Sequence, residues 1–485
     1  MGSRRSLLPV VLCLVVLLFA AVPTDVSRPA TAGVQTVAIT NVTVIDATGA
    51  PAQPGMTVVV RGDRIATLGA SRDVAVPKEA TVVDGAGKFL IPGLWDMHVH
   101  PYDPNWLALF LANGVTGVRV MKGEPVHHSW RQDVQQGTLL GPRMVIASNL
   151  IDGPDPIWSG SVAVTNEAEA RQAVQQAQEK GADLVKVYSL LPRAAFFALA
   201  DEAHKRDIVF AGHVPDAVTA AEASDAGLRS IEHLSGVTVA TSTREAEIGA
   251  ELGRIPRAAD PSQRRSLERQ AAQSHSPERA QSLFARFARN GTWQVPTLTV
   301  LRSLSRVGDA RYGQDERLRY ISPDLAQSWQ RFPRAPRSPQ ELADQQEFFR
   351  HQLALVGAMN QAGVGLLAGT DALNPFCFPG FSLHDELELL VEAGLTPMQA
   401  LQTATRNPAE YQGDLDRAGT IAAGKRADLV LLDADPLADI RNTRRINAVV
   451  AAGKLLPRDR LDAMLTRVEA ITAARGIQAA RPPAG

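Results

Sequence analysis

The sequence predicts an α/β protein, a (β/α)8 TIM barrel with a small composite β-sandwich domain built from both chain ends. Three observations lead there. The middle of the chain alternates short apolar strands with helix-like runs, the pattern of parallel β-α-β units. Strand-rich, turn-punctuated blocks bracket that middle on both sides. Polar residues with chemical capability recur at the ends of the predicted strands, where barrels of this kind carry their sites.

Taken in order, the chain opens with a basic stretch, "MGSRRS", an apolar run, "LLPVVLCLVVLLFAAV", and the small-residue triplet "ATA" at 30–32. That is the pattern of a signal peptide over 1–32, with a cleavage site before Gly33 and an uncleaved membrane anchor as the alternative, and it predicts an exported protein whose membrane contact is limited to this segment. "SRRSLL" suits either an ordinary or a twin-arginine leader. Without the leader, Cys377 is the one remaining cysteine, so no intrachain disulfide forms. Residues 33–90 read as β-branched strands broken by Gly and Asp, the N-terminal part of the β domain. The barrel follows over 91–414. Its strands are expected at 91–98, 114–121, 143–148, 182–189, 207–213, 229–234, 292–298 and 364–370, and no GxGxxG supports a doubly wound sheet instead. Polar stretches at 242–290 and 303–352 read as helical insertions over the barrel mouth. "GTIAAGKRADLVLLDADP" and "INAVVAAGKLL" return to strand texture, so 415–460 completes the β domain, and 461–485 is a C-terminal helix and tail.

A net charge of −1 with no basic block gives no footprint for nucleic acid. A small-molecule substrate is the expected partner, and a homo-oligomer is left open.

The chain holds ten histidines, and two stand in "GLWDMHVHP". Alternate strand residues share a face, so His98 and His100 project together and make half of a metal site. Lys186 lies in the fourth strand, His213 and His233 end the fifth and sixth, and Asp371 ends the eighth. In a barrel these ends converge. An ammonium cannot bind a cation, but apolar neighbours in "LVKVY" lower a lysine's pKa toward a neutral amine. Such an amine takes up carbon dioxide to give a carbamate, an anionic ligand able to bridge two metals.

The set "DMHVH", "VKVY", "AGHVP", "SIEHLSG" and "AGTDA" resembles the amidohydrolase superfamily, in the imidazolonepropionase-like branch that includes metal-dependent dipeptidases and prolidases. "GKFLIPGL" and "GTIAAGKRADLVLLDADP" are similar to it as well, so the resemblance spans residues 37–455. It implies two divalent metal ions, most often zinc. His98, His100 and Asp371 would hold the first, His213 and His233 the second, and carboxylated Lys186 would bridge them with a hydroxide. It further implies hydrolysis of a C–N bond of a dipeptide or N-acyl amino acid, with Asp371 as catalytic proton acceptor. Hydrolysis of a cyclic amide or lactone is the neighbouring reading, and a non-catalytic exported binding protein the reading of another class. For substrate contacts, Tyr188 follows Lys186 by two and faces the same way. Trp158 lies in the mouth loop "DGPDPIWSGS". His127 and His128 follow strand two, where related dipeptidases bind the substrate carboxylate, although "VRVMKGEPVHH" departs from the family's "VRDMGG".

Overall fold

The computed structural model describes residues 35–255, 261–306, 313–331 and 338–479. The leader expected over 1–32 and the end of the tail lie outside these residues. Among the described residues no helix is long and apolar enough to cross a membrane.

The β domain is one eight-stranded sheet that uses both ends of the chain. Its path runs from Lys454–Pro457 through Ile446–Ala451 and Leu429–Leu432 to Phe89–Pro92, then Thr36–Val44, Gln53–Arg61 and Arg64–Ala70; Thr81–Asp84 also pairs with Thr36–Val44. Alternation in the sequence sets which face is buried. Val37, Ile39, Val58 and Val60 meet Leu429, Leu431 and Val450 in a shared apolar core. Each such side chain contributes about 1.5–3 kcal/mol by leaving water. An isolated antiparallel bridge between Arg64 and Arg426 brings the far edge of the sheet back onto its middle. The two layers of the expected sandwich are thus one sheet curled over its own core.

The second sheet is the barrel. Leu94–Val99, Val115–Val120, Arg143–Asp152, Leu184–Val187, Val209–Gly212, Ser230–Glu232 and Trp293–Val295 run parallel in that order. Both faces of these strands are covered, which is why they read as continuous apolar runs. Seven of the expected strands form, and the eighth does not. Residues 364–370 make only isolated contacts, with Gln294 N donating to Gly365 O on one side and Met97 N to Ala368 O on the other, at 2.9 and 2.8 Å. The reason is close approach. A Cβ at Gly365 would lie 2.4 Å from the Trp293 ring, and one at Gly369 would lie 2.9 Å from the His98 Cβ. Glycine lets this backbone press into the seam between the seventh and first strands and close the barrel without a regular ladder.

Each of the two polar stretches ends in a long helix leading into the next barrel segment, Pro277–Asn290 and Pro339–Gln361. Ahead of the first stand Glu245–Leu252 and Pro261–Gln273; ahead of the second stand Leu298–Ser305 and Pro323–Arg331. A helix, Arg458–Ala479, follows the last strand.

Candidate metal centre

The strand ends bring the expected ligand side chains together. His98 lies in the first barrel strand, and His100 follows that strand's last residue. Ring centroids are 5.1 Å apart for His98 and His100, 4.5 Å for His98 and His233, and 5.0 Å for His213 and His233. Asp371 reaches into the group. Its carboxylate lies 3.0 Å from His100 Nε2, 3.5 Å from His98 Nε2 and 3.8 Å from His233 Nδ1. Donor atoms of His98, His233 and Asp371 all fall within 4.8 Å of one another, close enough to share a cation. Lys186 stands beside them, 1% exposed, with no hydrogen-bond partner for Nζ.

Backbone strain collects here. His233, Leu234, Thr297 and Asp371 all have positive φ, between 47° and 59°. For residues with a Cβ this costs about 1–3 kcal/mol each and persists only where surroundings enforce it. Local bonds do so: Asp371 N donates to His98 O at 2.8 Å, and Thr297 Oγ1 sits 2.7 Å from His233 Nδ1. Gly212, at φ 144°, leads into His213, and a Cβ there would lie 2.1 Å from Val187 O.

Electrostatics favour neutral donors and one anion. Burial, then the neighbouring Lys186 charge, holds His98 and His213 well below the usual imidazole range. Burial lowers His233 as well. Burial alone would raise the Asp371 carboxyl, but His233, His100 and Lys186 together keep it low. Burial brings Lys186 down to about 8, despite the attraction of Glu232 and Asp371. Neutral imidazoles and an ionised carboxylate are the states in which these groups bind metal. The buried, unpartnered Lys186 Nζ and His100 Nδ1 are costly in an empty protein and suit a site that takes a ligand. The residues present therefore fit divalent cations.

Beneath the histidines lies a buried layer that the sequence reading missed. His98 Nδ1 donates to Glu232 Oε2 at 2.7 Å, which turns Nε2 toward the site. Arg119 Nη2 donates to both Glu232 oxygens at 2.8 and 3.0 Å, and Ser230 Oγ donates to Oε1 at 2.6 Å. Asp96 accepts from Thr370 Oγ1 at 2.6 Å and from the backbone of Thr370 and His98. Ser189 Oγ lies 2.9 Å from His213 Nδ1. The available signal was a charge inside an apolar strand, Arg119 in "VTGVRV" and Asp96 in "LWDMHV". Such a charge must be paired when buried.

The expected substrate contacts divide. Tyr188 stacks on His213 at 4.0 Å between centroids, and Trp158, 52% exposed, donates from Nε1 to the Tyr188 hydroxyl at 2.8 Å. His127 and His128 are placed differently from expectation. His127 is buried, its Nδ1 accepting from Glu124 N at 3.0 Å and its Nε2 donating to Pro101 O at 2.9 Å. Nδ1 serves the start of helix Pro125–Gln136 and Nε2 the loop after the first barrel strand, which leaves neither nitrogen for a substrate. His128 is turned about 100° further round that helix. It lines a separate cavity of about 360 Å³ with Ala147, Val162 and Lys180. The main cavity, about 840 Å³, opens from His213 and His233 toward helices Glu245–Leu252, Pro261–Gln273 and Pro339–Gln361.

A parallel barrel with imidazoles and a carboxylate gathered at its strand ends is the framework of a metal-dependent hydrolase. The chain belongs to the amidohydrolase family, whose model matches residues 89–456. Among solved structures it is similar to a bottromycin amidohydrolase, at 26% identity and a TM-score of 0.74, with 90% of each chain covered. A Xaa-Pro dipeptidase with bound methionine in its active site shares the fold at 20% identity and a TM-score of 0.63, with 87% of this chain and all of that one covered. An imidazolonepropionase from Shouchella clausii is 34% identical over 113 residues, 22% of this chain and 25% of that protein. The curated relatives are matched over only 11–25% of their length.

Proposed function

We propose that the protein is an exported hydrolase that cleaves the C–N bond of a peptide-like amide, a dipeptide or an N-acyl amino acid, with two divalent cations, zinc foremost. One observation carries this reading: an ionised Asp371 lies within 4 Å of three imidazoles, beside a buried lysine whose amine has no partner. His98, His100 and Asp371 would hold one cation, and His213 and His233 the other. Lys186, its amine neutral for part of the time near pH 8, would add to carbon dioxide, release a proton and join the two as a carbamate. Cations bound there lower the pKa of water toward neutrality and polarise a carbonyl.

The chain's own residues supply the rest. Asp371 accepts the proton of the attacking water on its carboxylate and returns it to the leaving nitrogen. Glu232 fixes the His98 tautomer, and Arg119 holds Glu232. Tyr188 and Trp158 form an aromatic wall beside His213. The names of the bottromycin amidohydrolase and the Xaa-Pro dipeptidase support an amide substrate.

Elemental analysis of chelator-free protein should give about two divalent metals per chain. Turnover should appear on a panel of Xaa-Pro, Xaa-Arg and N-acyl amino acids with zinc added. Lys186→Ala should lose most metal and activity, with partial rescue by short carboxylic acids. A single metal in fully active protein, or full activity in Lys186→Ala, overturns the two-metal reading. Export is checked separately, by a mature N-terminus near Gly33; full-length protein in the host cytoplasm refutes it.

A further inference from the structure

The main cavity is larger than the catalytic chemistry requires. At about 840 Å³ it falls in the upper part of the range, about 300–1,000 Å³, of pockets that enclose drug-sized ligands. One wall of it is helix Pro261–Gln273, which is fastened in place. Arg264 forks onto Asp216 with bonds of 2.9 and 2.7 Å. Asp216 N donates to Ser189 O, and Ser189 Oγ contacts His213. The helix is thereby tied to the loop that follows one of the metal-site histidines.

Most charges lining the cavity are already matched. Arg193 forks onto Glu222, Arg264 onto Asp216, and Glu245 pairs with Arg279. Arg265 and Arg269 differ. They lie one turn apart on the same helix, so they share a face, and both line the cavity. Among the described residues neither has a hydrogen bond or salt bridge. Glu268 stands between them in sequence and is the one acid near both; burial pushes its carboxyl up to about 7 against the pull of Arg264, Arg265 and Arg269, so a single partly ionised carboxylate faces the two guanidinium groups. Arg254, exposed like Arg265, adds positive charge to the same cavity, whereas Arg269 is half-buried. This wall is left with an excess of cations.

We propose that this wall is a distal recognition subsite, where Arg265 and Arg269 receive a carboxylate of a substrate that extends beyond a dipeptide. The proposal rests on the hydrolytic reading above and adds to it a length and a charge.

The test uses the full chain with zinc and two acetylated tetrapeptides that differ only in ending as a carboxylate or a carboxamide. Wild type should prefer the acid by about tenfold in kcat/KM, a difference of about 1.4 kcal/mol. Arg265→Gln/Arg269→Gln should abolish the preference, Arg269→Glu should reverse it, and Arg269→Lys should keep it. The preference should shrink at high salt. No preference in wild type, or an unchanged one in the double variant, overturns the subsite. If neither peptide is cleaved, turnover of the Xaa-Pro, Xaa-Arg and N-acyl amino acid panel decides whether the hydrolytic reading itself fails. Calorimetric binding of the same peptides then decides the subsite: an acid preference lost in the double variant supports it, and equal binding overturns it.

Discussion

Asp371 is asked both to ligate and to move a proton, and one substitution separates the roles. Asparagine still offers a carbonyl oxygen but cannot act as a base near neutral pH. Asp371→Asn should keep its fold and most of its metal while kcat falls about 10²–10⁴-fold. Near-normal turnover with intact metal content would reduce Asp371 to a ligand. Glu232 makes a different demand, because it acts through His98. Glu232→Gln should weaken metal affinity by about 10–100-fold, read by competition with a chelator. Arg119→Met strands a buried carboxylate and should cost about 3–5 kcal/mol in unfolding free energy. The positions of His98, His100, His213, His233 and Asp371 were legible because strand ends in a barrel must converge. Glu232 and Arg119 were not, since their meaning lies in a pairing between strands that sequence spacing does not reveal. The type of His127 suggests binding, but its ring nitrogens are spent on two backbone groups, one at a helix start and one in the loop after the first strand.

Helix Leu298–Ser305 shows how an element positions a side chain it does not contain. Glu386 accepts from Leu298 N, Thr299 N and Thr299 Oγ1 at 2.6–2.9 Å, so a distant carboxylate caps the helix. The residue just before it, Thr297, contacts His233. Glu386→Ala leaves three buried donors unpaired. It should lower unfolding free energy by about 1–3 kcal/mol and reduce turnover through a displaced His233, read by denaturant melts and kinetics. Such a cap was unreadable, since donors and acceptor lie far apart in the chain. The eighth strand failed for another reason. "VGLLAGT" has the apolar texture of a strand, but its glycines meet Trp293 and His98 too closely for a regular ladder.

At the scale of the whole molecule, Glu268 ties stability to pH. Its pKa rises from 4.5 to about 7 on folding, so between those values the native state holds more protons than the unfolded one. Its contribution is full below pH 4.5 and is lost as pH rises through 7. Asp96 and Glu386 are raised to about 7 too, so Glu268→Gln should make the thermal-melt profile shallower over that window without levelling it, and an unchanged profile would contradict the shift. The two-ended β domain was legible from texture alone, because both blocks carry the same alternation. Its curl was not, because the backbone contacts of residues 63–65 with residues 424–427 join positions far apart in the chain. This closure also constrains the order of events during synthesis. Phe89–Pro92 runs directly toward the first barrel strand, yet one of its partners is Leu429–Leu432, made only after the whole barrel. A nascent chain must hold its early strands open until that partner arrives, exposing unpaired edges while the barrel is made. Chains stopped before residue 429 should therefore collect as aggregates or with chaperones, while the completed chain folds in one late step.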